Sequence, residues 1–360
     1  MTFVTDSASG SSASLPVSPQ PAAPEFALPP EMVIMQMLTG AWVTQCLYVA
    51  AKLNLADALQ AGPQSIDALA AQVGAHPRSL FRVMRALASV GVFAETEPQH
   101  FAMTPLAECL RSDAPNSMQA IALMLGEEHY MAWGGLLGSV QSGGCAFEQL
   151  YGTNIFEYYG MNAEPAAIFD RAMTQFSRIV KPAIAQAYDF SDVTTLVDVA
   201  GGQGGLLLYL LQQNPHLNGL LFDLPAVIQG AGEAIAQSGV GDRCMVSNGS
   251  FFEEVPSGGD AYLLKHIVHD WDDERAIAIL KNCRAAMPET GRLLIVEHVV
   301  PEGNEPSPSK LMDINMLVVA PGGCERTAEE FRQLLAQAGF ALRRVIPTAS
   351  PVSIIEAVPV

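Results

Sequence analysis

The sequence predicts an α/β protein in which a parallel, Rossmann-like sheet wound with helices follows a mainly helical front part. After Ser191, short apolar runs of the β type alternate with helical segments, which is typical of a parallel sheet covered by helices. Between about Pro30 and Arg111 the apolar residues are instead spaced as they are on helices. A chain of 360 residues is long enough for about two such domains.

The composition supports a globular protein and argues against several other classes. Hydrophobic residues make up 49% of the chain and charged residues 16%, which suits a large core rather than disorder. The net charge of −18 disfavours attraction to nucleic acid or to anionic lipid. The six cysteines are scattered without disulfide or metal-ligand spacing. No apolar run approaches the ~20 residues of a membrane helix and no signal peptide is visible, so we expect a cytoplasmic protein.

The chain divides into four segments by composition and periodicity. Residues 1–29 are rich in Ser, Pro and Ala and are predicted to form a disordered tail. Residues 30–111 show three helical patterns and then "GVFAETEPQHFAMTP", two short strands about a polar turn, which is the order of a winged helix. Residues 112–180 form a helical connector, and residues 181–360 form the sheet domain. Residues 30–60 carry more apolar surface than a small module can bury alone, which favours a homodimer.

A winged helix often binds DNA, so a transcriptional regulator is an alternative. Arg78, Arg82 and Arg85 lie on one face of the helix that would enter a groove. Basic and acidic side chains balance between residues 41 and 100, however, and phosphate contacts require an excess of positive charge. We therefore expect a solvated helix face rather than a DNA-binding surface.

A glycine-rich loop follows the first predicted strand of the sheet domain, in "LVDVAGGQGGLLLYLLQQNP". The strand ends near Asp198 and a helix begins near Leu206, so backbone N–H groups at the helix start face any ligand on the loop. Asp223 ends the next predicted strand, where an acid accepts hydrogen bonds from ribose hydroxyls. The third glycine of a dinucleotide motif is replaced by Leu207, which favours a nucleoside cofactor such as S-adenosylmethionine. A tight turn without any ligand is the alternative.

The segment "LLKHIVHDWDDE", residues 263–274, raises the question of a metal site. Side chains alternate along a strand, so His266 and His269 are expected to point to opposite faces and cannot jointly ligate one metal ion without a bend. His269 would then lie at the carboxyl end of the strand, where open α/β sheets bind ligands, and His266 would be a core residue. Asp270 is predicted to cap the following helix, with Asp273 in its first turn. We therefore expect no metal site here.

Several ordered motifs resemble the O-methyltransferases that include the plant caffeate and flavonoid enzymes, acetylserotonin methyltransferase and the bacterial antibiotic methyltransferases. These motifs are "LVDVAGGQGG", "FDLPAVI", "LLKHIVHDWDDE", "GRLLIVEHVVP" and "PGGCERTAEEFRQLLAQAGF", and the resemblance runs from about Met35 to the C-terminus. It implies a winged-helix-like dimerisation domain before a class I methyltransferase domain. It also implies methyl transfer from S-adenosylmethionine to an oxygen atom.

The resemblance also implies roles for particular residues. The implied catalytic residues are His269, as the general base, with Glu297 and Glu325 flanking it. The implied cofactor-binding residues are Gly202, Asp223, Ser250, Phe251 and Lys265. The implied acceptor-binding residues are Met173, Ser177, Asp270 and Met316, and no metal is implied.

The chain departs from the family pattern at four positions. Ala200 stands where the family commonly has the first loop glycine, and Ser250 stands where it often has an acid for the adenine amine. Ala320 and Cys324 replace larger polar residues that are usual in the plant members, which puts a plant-type substrate in doubt. A relative that binds S-adenosylmethionine but catalyses another reaction is a further alternative, and the presence of His269 with both acids argues against it.

The chemistry expected at His269 follows from its neighbours. A positioned base contributes about 10²–10⁴-fold to a rate, and a carboxylate beside the imidazole fixes its tautomer and stabilises the imidazolium. The chain has 15 methionines, and thioethers pack favourably against aromatic rings. The resemblance places Met173 and Met316 where the family lines its acceptor pocket, so they are expected to hold a planar aromatic or polyketide-like hydroxyl acceptor; filling of gaps in the core is the alternative.

Overall fold

The structure is a computed structural model, and it describes residues 28–360. The predicted disordered tail therefore lies almost wholly outside the described residues. Within them the chain separates into two compact units, one that ends at Trp42 and one that runs Val43–Val360. The first of these units consists of the start of a single long helix.

The chain forms seventeen α-helices and ten strands in residues 28–360. The helices are α1 (Pro30–Lys52), α2 (Leu55–Ala58), α3 (Ile66–Val73), α4 (Pro77–Ser89), α5 (Pro105–Glu108), α6 (Gln119–Gly126), α7 (Glu128–Trp133), α8 (Leu136–Ser142), α9 (Ala146–Tyr151), α10 (Ile155–Met161), α11 (Ala163–Ala187), α12 (Gly205–Gln213), α13 (Pro225–Ile228), α14 (Ala231–Gln237), α15 (Asp273–Ala286), α16 (Pro308–Val319) and α17 (Ala328–Gln337). The strands are β1 (Gln64–Ser65), β2 (Phe93–Glu97), β3 (His100–Met103), β4 (Thr195–Val199), β5 (Asn218–Asp223), β6 (Cys244–Asn248), β7 (Ala261–Lys265), β8 (Arg292–Glu297), β9 (Phe340–Pro347) and β10 (Ser353–Pro359).

The front module is a set of helices beside a small antiparallel sheet of order β1-β3-β2. Helix α4 begins with Pro77 and is capped by His76, whose side chain accepts a hydrogen bond from the Ser79 N–H. Its apolar face buries Met84 and Leu87 in one core with β2 and β3. The predicted hairpin is confirmed in β2 and β3. Strand β1 was not predicted, because two residues are too few to give a periodic pattern.

Helix α1 leaves much of its apolar surface exposed. Met37, Leu38 and Trp42 are each at least 66% exposed. By length and composition alone α1 matches a membrane span, which differs from the expectation that no apolar run is long enough. The difference arises because Thr39 and Thr44 interrupt the run without adding charge. An apolar helix that is covered by another protein surface matches the same criterion.

The large sheet has seven strands in the order β6-β5-β4-β7-β8-β10-β9. The five strands from β6 to β8 are parallel, as predicted, whereas β10 pairs antiparallel with both β8 and β9. Strands β9 and β10 were not predicted. Two apolar cores cover the two faces of the sheet, one built on α12 and α11 and the other on α15 and α17. The order places the carboxyl ends of β4, β5 and β7 side by side.

Candidate active site

The loop after β4 is held in a strained backbone conformation. Ala200, Gly202 and Gly204 all have positive φ, at 56°, 63° and 79°. Glycine adopts this region readily, whereas alanine pays about 1–2 kcal/mol for it. Gly201 between them admits no side chain, because an added Cβ would lie 2.5 Å from Asp198 Oδ2. The loop therefore brings bare backbone to the start of α12, and Ala200 stores strain there.

Asp223 is tied to this loop by its carboxylate. Its Oδ2 accepts a 2.8 Å hydrogen bond from the Gly202 N–H, and its Oδ1 accepts one of 2.6 Å from Leu224. Burial raises the pKa of the Asp223 carboxyl group, and the two backbone N–H donors oppose that rise. The glycine loop and the acid that sequence analysis paired as a nucleoside site therefore meet in space.

Ser250 and Phe251 follow β6, and each has a local structural contact. The Ser250 hydroxyl accepts a 3.3 Å hydrogen bond from the Phe252 N–H and so supports the turn. Phe251 and Phe252 pack edge-to-face on Trp271, with ring centroids 6.2 and 4.9 Å from it. An aromatic wall therefore borders this end of the sheet.

An acid and a lysine near the loop lack side-chain partners, which is consistent with a bound zwitterionic group. Asp198 is 2% exposed, and its Oδ2 has no hydrogen-bond partner among the described residues. The ammonium group of Lys265 makes no hydrogen bond or ion pair with residues 28–360. Burial lowers its pKa, while Asp198, Glu297 and Asp270 oppose the shift. An amino-acid tail would satisfy both charges, so the residues present fit S-adenosylmethionine.

The segment that carries His269 differs from the prediction in a way that changes its geometry. Strand β7 ends at Lys265, His266 takes a positive φ of 54°, and a 3₁₀ turn spans Val268–Asp270. The rings of His266 and His269 lie 5.2 Å apart, so they do not point to opposite faces. The prediction was wrong because it carried strand alternation past the end of the strand. His266 is half-buried beside His269 and His298 rather than deep in a core.

His269 is buried between two glutamates. Its Nδ1 lies 2.8 Å from Glu325 Oε1, and the Glu325 side chain is fully buried. Oε1 of Glu297, which is 0% exposed, accepts hydrogen bonds of 3.1 Å from the N–H groups of His269 and Ile267. Glu325 therefore orients the imidazole, and Glu297 holds the backbone of the turn that carries it. Both acids lie beside His269, as the resemblance implies.

Asp270 lies against the imidazole instead of capping α15. Its Oδ1 is 3.6 Å from His269 Nε2. The cap of α15 is Asp272, whose Oδ1 accepts a 2.9 Å hydrogen bond from the Arg275 N–H. The predicted cap was therefore two residues early, because the 3₁₀ turn delays the start of the helix. Asp273 lies in the first turn of α15, as expected.

The charges around His269 shift its pKa strongly. Burial alone lowers the pKa of the imidazole, but the carboxylates of Asp270, Glu325 and Glu297 outweigh burial and raise it to about 10. Burial raises the pKa of Glu297 to about 7. The pKa of Glu325 falls despite its burial, because His269 and His298 stabilise the carboxylate. In the protein without ligands, His269 and Glu325 therefore form an ion pair at neutral pH.

Three further residues complete the site and were not singled out from the sequence. Arg326 is 2% exposed and donates to the carbonyl oxygens of Val268 and Trp271, which holds both ends of the histidine turn. His298 Nδ1 lies 3.4 Å from Glu325 Oε1, and Asp313 accepts the Glu325 N–H at 2.9 Å. The adjacency of His298 and Arg326 to the two motif glutamates, in "EH" and "ER", was the available signal.

The remaining motif departures lie beside the same turn. Ala320 is 3% exposed at the end of α16, and the Cys324 N–H donates a 2.9 Å hydrogen bond to the His269 carbonyl. Gly323 between them admits no side chain, because an added Cβ would lie 2.8 Å from that carbonyl oxygen. Small residues at this point let the backbone of the "PGGCER" segment pack directly on the histidine turn.

The four residues implied for acceptor binding come from three elements. Met173 and Ser177 lie four residues apart on α11, and Met316 lies on α16 with 7% exposure. Phe169, one turn before Met173, packs against both apolar clusters that contain the two methionines. The Ser177 hydroxyl has no partner within residues 28–360. Met173 and Met316 thus belong to two apolar clusters, and Phe169 packs against both of them.

One group of side chains in the described part of the chain has the geometry to hold a metal ion. His269, Glu297 and Glu325 each offer one ligand atom, and these atoms lie within 4.8 Å of one another. Glu325 Oε1 contacts His269 Nδ1 and Glu297 Oε1 accepts two backbone N–H groups, whereas the Oε2 atoms of both glutamates are buried without a hydrogen-bond partner among the described residues. A metal ion bound at His269 Nδ1 would have to displace its 2.8 Å contact with Glu325 Oε1.

A bare-backbone loop and an orphaned acid lie at the end of β4, and a buried His–Glu pair follows the neighbouring strand β7. Together with the parallel sheet, these features indicate an enzyme that transfers a group from a nucleoside cofactor. Family models match residues 35–113 as an O-methyltransferase dimerisation domain and residues 133–341 as an O-methyltransferase domain. The chain belongs to the S-adenosylmethionine-dependent O-methyltransferase family.

Curated relatives include antibiotic and phenazine methyltransferases. Phenazine O-methyltransferase PhzM of Lysobacter antibioticus is 51% identical over 93% of this chain and 98% of its own length. Phenazine-1-carboxylate N-methyltransferase of Pseudomonas aeruginosa is 34% identical over 87% of this chain and 92% of its own length. The family thus contains relatives named for transfer to oxygen and to nitrogen.

Solved structures show the same fold. LaPhzM has a TM-score of 0.88 and 50% identity, with 92% of this chain and all of that chain covered. The O-methyltransferase NcsB1 from neocarzinostatin biosynthesis, in complex with S-adenosylmethionine and 2-hydroxy-5-methyl naphthoic acid, has a TM-score of 0.79 and 33% identity, with 91% and 98% covered. S-adenosylmethionine is the cofactor of this enzyme family.

Proposed function

We propose that this enzyme transfers the methyl group of S-adenosylmethionine to a hydroxyl group of a planar, fused-ring aromatic acceptor, with His269 as the general base. The observation that carries the proposal is the buried pair of His269 Nδ1 and Glu325 Oε1 at 2.8 Å. Because Nδ1 is engaged, Nε2 is the atom left to meet an acceptor hydroxyl. Glu325 then stabilises the imidazolium that forms.

The shifted pKa of His269 fits the acidity of a phenol. A phenol has a pKa of ~10 and an ordinary imidazole ~6.5, so proton transfer between them is uphill by ~5 kcal/mol. With the pKa of His269 raised to about 10, that transfer is close to balanced. His269 must first lose its own proton, and it does so more readily when a cationic cofactor is bound, because like charges disfavour the imidazolium.

The cofactor is held, in this proposal, by residues at the carboxyl ends of four strands, β4 to β7. Gly202 offers open backbone, since nothing lies within 4 Å of an added Cβ there. Asp223 holds the ribose, Ser250 and Phe251 border the adenine, and Lys265 faces the amino-acid tail. Bound S-adenosylmethionine supplies a methyl group on a sulfonium, which is already activated for displacement. The remaining task of the chain is to align the acceptor oxygen with that methyl group.

The acceptor class is inferred from the side chains around His269 and from the named relatives. Met173 and Met316 offer flexible, polarisable sulfur atoms to a flat ring, at ~0.3–1.5 kcal/mol per contact. Ser177 and Asp270 are proposed to contact polar substituents of the acceptor. The relatives are named for phenazines, and the solved NcsB1 complex contains a hydroxynaphthoic acid. Fused aromatic rings that carry a hydroxyl group are therefore the acceptors to test first.

The proposal requires no metal ion at His269, Glu297 and Glu325. In this proposal the 2.8 Å contact between His269 Nδ1 and Glu325 Oε1 is kept, and a metal ion bound at Nδ1 would break it. We also propose a cytoplasmic homodimer in which residues 30–111 form the dimerisation domain, residues 112–180 the connector and residues 181–360 the methyltransferase domain. Nucleic acid and membrane are not partners in this proposal.

The test is a panel of acceptors assayed for consumption of labelled S-adenosylmethionine, with and without EDTA. We expect turnover with hydroxylated phenazines and naphthols, and unchanged rates in EDTA. Preference for ring nitrogen over hydroxyl acceptors, as in the name of the Pseudomonas aeruginosa relative, would contradict the proposed acceptor. Loss of activity in EDTA that returns with a divalent ion would contradict the metal-free site.

A further inference from the structure

We propose that Lys181 binds the carboxylate of the methionine tail of S-adenosylmethionine and so positions the cofactor on the start of α12. This assignment concerns the established cofactor and does not depend on the acceptor or on the role of His269. It rests on an unpaired ammonium group, on the helix end that it faces and on an orphaned acid nearby.

Lys181 projects from α11 onto the first residue of α12. An added Cβ on Gly205 would lie only 2.7 Å from Lys181 Nζ, so the ammonium group occupies the space that a side chain at that position would take. A helix start carries a partial positive charge and unpaired N–H groups, which repel a cation and attract an anion. A lysine held at this place is unfavourable unless an anion lies between it and the helix.

No carboxylate of the described residues forms an ion pair with Lys181. Burial lowers the pKa of its ammonium group, and the nearby cations Lys265 and Arg178 lower it further, while Asp198 opposes the shift. Asp198 acts on both half-buried lysines, Lys181 and Lys265, and Glu297 and Asp270 act on Lys265 as well. Lys181 is therefore left without a direct anionic partner, and a carboxylate from a bound molecule would supply one.

Asp198 indicates which molecule supplies that carboxylate. Its buried Oδ2 has no partner within residues 28–360 and faces Gly201 of the loop, so a cationic donor is also expected there. An α-amino acid tail carries both a carboxylate and an ammonium group on one carbon atom. A carboxylate on the acceptor is the other source of the same chemistry, but it brings no ammonium group for Asp198.

The position of Lys181 along α11 connects this site with the acceptor side. Met173, Ser177 and Lys181 follow one another at intervals of four residues, which places them along one face of the helix. The same helix therefore contacts the acceptor cluster near Met173 and the cofactor loop near Lys181. A clamp at Lys181 sets the position of the tail relative to the residues that hold the acceptor.

The experiment measures the affinity of S-adenosylhomocysteine and of its decarboxylated analogue, which keeps the amine, by calorimetry. We expect Lys181→Met to weaken binding of S-adenosylhomocysteine by about 10- to 100-fold, the size of a charge-assisted hydrogen bond in a buried site, and to leave the analogue within about 2-fold. Lys181→Arg should retain most of the affinity. Lys281→Met, at an exposed lysine on α15, is the matched control and should change neither affinity.

Three outcomes would overturn the assignment. Equal weakening for both ligands would show a structural role, and unchanged affinity for both would show that Lys181 does not contact the tail. An effect of Lys181→Met only on acceptors that bear a carboxylate would assign the lysine to the acceptor. If the methionine variant does not fold, the unaltered protein still decides, because equal affinity for the two ligands contradicts a carboxylate clamp.

Discussion

At the scale of single residues, the environment of His269 decides what the site can do. An imidazole with three carboxylates around it holds its proton more tightly than a free one, and its pKa rises to about 10. This raises its strength as a base towards a phenol but reduces the fraction that is unprotonated at neutral pH. The rate should therefore be governed by the balance between these two effects.

Replacement of His269 by alanine tests the base directly. We expect His269→Ala to lower turnover by about 10²–10⁴-fold, because proton removal then falls to water. Affinity for S-adenosylhomocysteine should be retained, since the imidazole contacts the acceptor proton in the proposed mechanism. Steady-state assays and calorimetry measure the two quantities. Retention of more than about a tenth of the activity would mean that another group removes the proton.

The pH dependence of kcat/KM tests the charges around the base. Because only unprotonated His269 accepts a proton, kcat/KM should rise with pH up to the pKa of about 10 in the free enzyme. Glu325→Gln removes a negative charge from Nδ1, lowers that pKa and should shift the rising limb to lower pH. The pKa of the acceptor hydroxyl does not change with this substitution, so a limb that reports acceptor ionisation would stay in place and serves as an internal control. A rising limb that stays at the same pH would show that Glu325 does not set the pKa of the base.

Ala200 provides a residue-scale test of strain in the cofactor loop. At φ 56° glycine is relaxed and alanine is not, so Ala200→Gly should raise the free energy of unfolding by about 1 kcal/mol. Ala167→Gly, at an exposed position inside α11, is the matched control and should lower it by about the same amount. Urea denaturation measures both. Destabilisation at both positions would show that the loop is not strained at Ala200.

At the scale of elements, α11 and α16 carry the residues proposed to bind the acceptor. Met316 is nearly buried on α16, and Phe169 of α11 packs against the clusters on both sides. In the proposed function, contact with the acceptor ring exists before and during methyl transfer alike. Loss of such a contact weakens binding of the ground state and the transition state equally, which raises KM and leaves kcat largely unchanged.

Met316→Ala should accordingly raise KM for the aromatic acceptor several-fold, at ~0.3–1.5 kcal/mol per lost ring contact, with a smaller change in kcat. Met131→Ala, at a 60% exposed methionine on α7, should change neither constant. A fall in kcat and in thermal stability at constant KM would instead identify Met316 as a core residue that supports the site from behind.

At the scale of the whole molecule, the exposed apolar side chains of α1 indicate a surface that another protein covers. Monomeric soluble proteins rarely expose a large continuous apolar surface, and the dimerisation-domain model spans most of this helix. We expect a dimer at micromolar concentration by light scattering. Leu38→Glu and Trp42→Glu should shift the mass towards the monomer.

The matched control for the dimer places the same charge on a different exposed apolar residue. Met245 on β6 is 58% exposed, and Met245→Glu should leave the mass unchanged. If the unaltered protein has the mass of a monomer, the proposed homodimer is wrong. If the control dissociates as well, the interface involves β6 rather than α1 alone.

The sequence by itself determined the features that depend on local periodicity and local backbone chemistry. Alternating apolar runs predicted β4 to β8, the polar turn predicted the hairpin of β2 and β3, and the glycine pattern predicted a ligand loop after β4. Ordered motifs placed His269 among its two glutamates. These signals succeed because hydrogen bonding and side-chain direction within one element depend on neighbours only a few residues away.

Only the tertiary structure decided how residues far apart in the chain meet. It ended β7 at Lys265, moved the cap of α15 from Asp270 to Asp272, and brought Asp270 to 3.6 Å from the imidazole. It also placed Lys181 Nζ on the first residue of α12. These contacts produce the raised pKa of His269 and the unpaired charges at the loop. Burial and Coulomb interactions depend on distance in space and not on separation along the chain.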